Sequence, residues 1–348
     1  MTKKNKSSLT RVEWLDMARG YGIIVTIFAH LILTTLLKHS DYMYIVRWIY
    51  TFNIPLFFFL SGYNFNSKYK FKELVKKKAK SLLIPYFSYS LVITIFYLII
   101  NINTSKNILL FLFRCIFDFL IQIRCETLWF IACLFWLNIL FYLLLKKIRS
   151  LKKISLVVVL LFVGCLVYYR LGGISLPWNI DVCLTGLLFF FGGYLFKLNY
   201  SEVKNFVSFK MSILLFICFL IINVLFGYLS YYLSGERFDM FYNDYGIPIF
   251  SCISSFAGIG MIIIISHWFT LKFISYIGKN SIIYYAVHQA IMVTILRNIL
   301  YYLNIGIYNI YSSFNLRVLE LILIIVILTI VNEIVKKIKF SIVRQLEK

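Results

Sequence analysis

Ten apolar runs, each about the length of a bilayer-crossing helix, follow one another along the chain at roughly 18–37, 43–65, 82–101, 128–145, 154–170, 180–197, 210–232, 246–268, 280–303 and 314–335. About 20 apolar residues at 1.5 Å per residue match a hydrocarbon core some 30 Å thick. Lipid offers the backbone no hydrogen-bond partners, so a spanning segment must be a helix or part of a closed barrel, and runs this long select helices. Internal repeats, low-complexity linkers and an appended soluble domain are not evident. The expectation is one all-α integral membrane domain over 1–348, with tails 1–17 and 336–348 on the cytosolic side. A further stretch at 107–123 (NILLFLFRCIFDFLIQI) is apolar but interrupted by Arg114 and Asp118. It reads as an interfacial or re-entrant helix rather than a span.

Charge tests this layout. The chain carries 36 Lys and Arg against 14 Asp and Glu, a formal net charge of +22. In a soluble protein that balance would point to nucleic acid. Here 61% of residues are hydrophobic and only 14% charged, which a soluble domain of this size does not show. The basic residues cluster in the N-terminal tail, at 68–80, 146–153, 197–210 and 272–279, and in the C-terminal tail. Every second connection is thus basic, as the positive-inside rule requires for an even number of spans with both ends in the cytosol. The bilayer, not a nucleic acid, is the partner that this charge serves. The basic tail 336–348 faces anionic head groups. The first apolar run lacks the pattern of a cleavable leader and reads as a retained span. Seven cysteines show no CxxC spacing, and no metal site is expected.

Ionisable groups within spans are costly and mark cavities or partners. In LDMARGYGIIVTIFAH (15–30), His30 lies eleven residues beyond Arg19, about 16 Å deeper in the membrane. His288 lies nine residues beyond Lys279, about 13 Å in. Asn53, just ahead of the helix-disrupting Pro55, reaches a similar depth from the outer side. Three helices therefore bring polar groups to one level. A neutral imidazole there can accept and return a proton near neutral pH, whereas Asn53 equally suits helix packing. Arg19 alone reads as a snorkelling anchor, with Asp16 beside it at the positive end of the helix dipole. Glu126 sits next to Trp129 at the outer start of the fourth run. The polar, aromatic stretch 231–245 (YYLSGERFDMFYNDY) reads on composition as a solvated outer loop.

Five segments in order resemble the membrane-bound acyltransferase 3 family, especially its fucose 4-O-acetylase-like and polysaccharide O-acetyltransferase branch. They are the Arg19/His30 stretch, NIPLFFFLSGYNF (53–65), KKKAKSLLIPYF (76–87), ETLWFIACLFW (126–136) and IGKNSIIYYAVHQAIM (277–292). The family often has arginines in the basic patch, where this chain has lysines at 77 and 80. The resemblance implies a ten-helix bundle in a bacterial cytoplasmic membrane. It further implies transfer of an acyl group, usually acetyl from acetyl-CoA, to a hydroxyl of a cell-surface glycan or a lipid-linked saccharide, without a metal. On that reading His30 is the base or a transient acyl carrier, with His288 and Asp16 in the catalytic set. Arg19, Lys77, Lys80 and Ser61 hold the donor, while Asn53, Glu126 and Trp129 meet the acceptor; the outer stretch 231–245 meets the glycan as well if it is not a plain solvated loop. Ten helices with midplane polar residues also fit a transporter or flippase, although the inverted repeats common there are absent from the sequence. The acceptor sugar, the size of the acyl group and the oligomeric state are not legible.

Overall fold

The computed structural model describes residues 12–33, 42–101, 107–123, 125, 127–302 and 314–346. Helices α1 (Glu13–Leu33), α2 (Met43–Tyr50), α3 (Asn53–Tyr63), α4 (Phe71–Lys78), α5 (Ile84–Asn101), α6 (Ile108–Ile121), α7 (Trp129–Lys147) and α8 (Leu151–Arg170) form the first half. The second half is α9 (Ile180–Phe206), α10 (Phe209–Ser234), α11 (Pro248–Trp268), α12 (Lys272–Lys279), α13 (Ser281–Val287), α14 (Thr294–Tyr302) and α15 (Phe314–Leu346). Nine continuous helical stretches among the described residues are long and apolar enough to span a membrane. A tenth apolar segment, Ser281–Leu296, is shorter and broken by a π-helical turn at His288–Val293. The bundle is all-α and integral to the membrane.

The helices divide into an inner group and a lipid-facing group. The α1, α2–α3, α7, α9 and α11 spans bury more than half of their apolar windows against other helices, whereas those of α4–α5, α8, α10 and α15 bury less than a third. The inner group packs unusually close where α3 crosses α9. A Cβ at Gly62 would lie 1.8 Å from the Phe190 carbonyl oxygen, and one at Gly193 would lie 1.9 Å from that of Phe59. No side chain fits at either crossing, so glycine is obligatory there.

Several boundaries differ from the hydropathy reading, each for a local reason. Helix α1 starts at Glu13, within the expected tail, because Trp14 packs against Tyr200 and His267 (ring centroids 5.8 and 5.2 Å). The run 43–65 is two helices. Pro55 has no N–H to give the Thr51 carbonyl, which instead accepts a 2.5 Å bond from the Ser255 hydroxyl; the chain bends at Phe52. Helix α15 continues to Leu346, through most of the expected C-terminal tail. The 14-residue α6 is about 21 Å long, too short to span. It lies beside α5, tied there by Tyr86, whose hydroxyl donates to the Phe119 carbonyl and accepts from Gln122 Nε2.

Candidate active site

Two cavities approach each other across the bundle. The basic connections assign one to the cytosolic side: about 530 Å³, lined by Arg19, Ser61, Lys78, Lys279, Asn280 and Tyr285, among others. The second, about 280 Å³, lies on the opposite side and is lined by His30, Tyr50, Asn53, Trp129, Arg237, Asp239 and Tyr242. Tyr285 also lines this second cavity, so one side chain belongs to both walls. It is 6% exposed, with its ring against Phe130 (centroids 5.7 Å). Phe130 faces the first cavity and its neighbour Trp129 the second.

His30 and His288 meet near this wall. His30 Nδ1 lies 2.7 Å from His288 Nε2. The ring planes are within 11° of parallel with centroids 5.0 Å apart, so the rings meet edge to edge along the N–N line. His288 is the first residue of the π-helical turn, and its Nδ1 lies 2.9 Å from the carbonyl oxygens of both Tyr284 and Tyr285. Carbonyls only accept, which assigns the Nδ1 hydrogen to His288 and leaves its Nε2 as an acceptor. His30 Nδ1–H therefore donates to His288, and His30 Nε2 keeps the free lone pair. The tautomer of His30 is set by a residue 258 positions away.

The remaining walls follow from local breaks. The bend at Phe52 starts α3 at Asn53, which is 1% exposed. Its Oδ1 accepts from the Ile54 N–H at 2.8 Å, and its Nδ2 is 3.5 Å from Thr26 Oγ1. The segment 235–247 is not a solvated loop: Phe238, Asp239, Met240, Asn243 and Tyr245 are all buried. Asp239 and Asp244 exchange backbone hydrogen bonds of 2.8 and 3.0 Å. Asn243, in the left-handed region at φ 55°, donates to Asp181 (2.9 Å) and accepts from Thr185 (2.8 Å) on α9. This pinned turn delivers Arg237, whose Nη2 donates to Asp239 Oδ2 at 2.6 Å and whose guanidinium lies 4.3 Å from the Tyr50 ring centre. Burial, reinforced by Glu236 and Asp239, raises the Asp244 carboxyl above the usual range, against the lowering effect of the Gly246 N–H bond.

At the cytosolic cavity, Arg19 Nη1 lies 3.1 Å from Asp16 Oδ1, and Asp16 is 1% exposed. Asp16 precedes His30 by fourteen residues on one helix, about 21 Å. It therefore orients Arg19 and does not touch a group reacting at His30. The approach of α12 to this turn needs Gly278, where a Cβ would lie 1.7 Å from the Asp16 carbonyl oxygen. Lys77 and Lys80 are exposed and do not line the cavity; Lys78 between them does. Lys77 instead donates to the Tyr69 hydroxyl. Ser61 lines the cytosolic cavity, and Asn53 and Trp129 the outer one. Glu126 lies outside the described residues. Tyr50, Lys78, Arg237, Asp239 and Tyr285 were missed by the sequence reading; only the Tyr- and Asp-rich composition of 231–245 hinted at any of them.

No curated protein and no solved structure gave a significant match. A family model described as an acyltransferase domain, that of acyltransferase 3, matches residues 12–332. That match takes in α1 through most of α15 and both cavities, and the chain belongs to the acyltransferase 3 family of membrane acyltransferases.

Proposed function

We propose that this protein moves an acetyl group from cytosolic acetyl-CoA to a hydroxyl of a cell-surface glycan or lipid-linked saccharide. The observation that carries the reading is the His30–His288 pair, set beside a wall that a cationic cavity shares from the other side. Arg19, Lys78 and Lys279 supply positive charge for the phosphates of the nucleotide portion of CoA, with Arg19 held by Asp16 for charge-assisted bonds. The long pantetheine arm carries the thioester inward to Tyr285. In the second cavity, Trp129, Phe241 and Tyr242 offer apolar faces for a sugar ring, while Arg237 and Asp239 offer a donor and an acceptor for its hydroxyls.

The chemistry follows from the tautomer. His30 Nε2 takes the proton of the acceptor hydroxyl as its oxygen attacks the thioester carbonyl. The imidazolium that forms is stabilised through Nδ1–H to neutral His288, a bond that strengthens once its donor is charged. Collapse of the tetrahedral intermediate breaks the C–S bond. The proton on His30 passes to the departing sulfur, giving the acetyl ester and CoA. His288 thus works as the third group in nucleophile–base–orienter arrangements does.

The test is acetyl-CoA binding and thioester turnover in nanodiscs for wild type, Arg19→Ala and His30→Ala. Arg19→Ala is expected to weaken binding about tenfold, the scale of a lost bond to a charged group. His30→Ala is expected to bind normally and turn over at background. A folded wild type that does not bind acetyl-CoA, or a His30→Ala variant with wild-type turnover, would overturn the reading.

A further inference from the structure

A third cavity lies on the lipid-facing side of α2. It is a groove of about 320 Å³ between α2 and α10, lined by Tyr44, Arg47, Trp48, Thr51, Asn223 and Tyr231, among others. Its walls are largely apolar and it faces lipid along α10, the span least covered by other helices. Arg47 stands at the outer end. Its guanidinium lies 3.8 Å from the Tyr231 ring centre and 5.3 Å from that of Tyr44, and it has no carboxylate partner among the described residues. Most basic residues of this chain lie on the cytosolic side, which makes an unneutralised arginine here conspicuous.

Two more polar groups on the groove lack partners among the described residues: the Trp48 indole Nε1 and the Asn223 Oδ1. Asn223 is fully buried. Its Nδ2 is satisfied by Thr51 Oγ1 at 2.9 Å and by the Ser254 carbonyl at 2.8 Å, so its oxygen is the atom left over. Both atoms are closed off from the groove itself, so they belong to its wall and are not contacts for a ligand. What the groove offers a ligand is a cation at its outer end and largely apolar walls, which an amphiphile with an anionic head and a hydrocarbon chain matches. The volume is near the lower end for small-molecule sites, ~300–1,000 Å³, and suits one chain rather than two.

Arg47 and Tyr50 are three residues apart on one helix, so their side chains are neighbours. Tyr50 lines the His30 cavity, which puts the arginine one helical turn from the acceptor site. The other cation nearby, Arg237, is already paired with Asp239. We infer that this groove anchors a single-chain lipid phosphate, with the phosphate on Arg47, from which a linked saccharide reaches the His30 cavity. The saccharide's role rests on the acceptor reading above; the lipid-phosphate site does not.

The experiment uses the full chain in phosphatidylcholine nanodiscs and counts bound lipid by native mass spectrometry. Hexadecyl phosphate is expected to bind once per chain. Arg47→Gln is expected to weaken it about tenfold, as for loss of a charge-assisted bond. Val224→Trp fills the groove from an exposed position and is expected to abolish binding, with unchanged thermal midpoints certifying both folds. Hexadecanol, inorganic phosphate and the two-chain dihexadecyl phosphate are expected to compete poorly. Equal binding by Arg47→Gln, or equal competition by inorganic or dihexadecyl phosphate, would overturn the site. A hexadecyl phosphate esterified to a diazirine-bearing hexose is expected to label Trp129 or Tyr242. Labelling confined to other surfaces would remove the groove from acceptor delivery. Acetyl-CoA binding in the same samples tests the acyltransfer reading separately.

Discussion

The proton position on one imidazole governs the chemistry proposed at the other. His288→Phe keeps the aromatic packing but removes the acceptor for His30 Nδ1–H, freeing His30 to adopt either tautomer. We expect kcat to fall about 10²-fold or more, with acetyl-CoA affinity retained; steady-state kinetics beside a binding isotherm checks both. A purely structural role would instead lower kcat and the thermal midpoint together. At the cytosolic cavity, Lys78→Gln is expected to weaken acetyl-CoA binding several-fold, while Lys77→Gln and Lys80→Gln leave it within about twofold, as isothermal titration can measure. His30 and His288 were legible because depth along a helix is simple arithmetic. Which lysine turns inward was not. The π-helical turn Ala79–Leu83 follows the basic patch directly, and a π turn shifts the angular register that a 3.6-residue period assumes.

Helix breaks build this site more than helices do. Pro55 frees a carbonyl and Ser255, two hundred residues later, accepts the task of pairing it; the bend that results sets Asn53 and Tyr50 on the outer cavity. Ser255→Ala leaves the buried Thr51 carbonyl unpaired and is expected to cost about 1–3 kcal/mol, read from reversible unfolding in mixed micelles. Gly62→Ala would drive a methyl group into the Phe190 carbonyl, so we expect about 1–3 kcal/mol of destabilisation or a shifted α3, by the same measurement. The proline could be read in advance as a break. Its hydroxyl partner could not, since Ser255 carries no mark that separates it from Ser251 or Ser254 beside it. The folding back of 235–247 was equally hidden, because Asp181 and Thr185, which pin Asn243, look like ordinary residues at the start of a span.

Topology was the most legible level of all. Apolar length and alternating positive charge predict ten segments, and the described residues hold nine full spans with a tenth broken at His288. What charge alternation cannot give is how the helices surround the cavities: the lipid-facing spans are the more apolar, with mean hydropathy 2.0–2.7 against 1.3–2.2 for the inner ones, but the two ranges overlap. The outer turn adds a pH dependence. Asp244 has its carboxyl raised by burial, so the folded state favours the protonated form. That contribution is present below the ordinary carboxylate pKa and is lost as pH rises through the raised folded-state value. Near neutrality Asp244 therefore weakens the turn. Asp244→Asn keeps an acceptor for the Gly246 N–H and is expected to raise the thermal midpoint at pH 7, with the gain vanishing in acid.

The tyrosine common to both cavities has a bearing on permeability. Two aqueous chambers that nearly meet inside a bilayer would dissipate an ion gradient if joined, and each elementary charge crossing 100 mV releases about 2.3 kcal/mol. Tyr285 and its neighbour Phe130, which stand between the two cavities, are then the insulation against water and protons. Tyr285→Gly should turn the protein into a leak, and liposomes loaded with a pH-sensitive dye would lose an imposed proton gradient faster than with wild type. Unchanged retention would place the electrical seal on other residues.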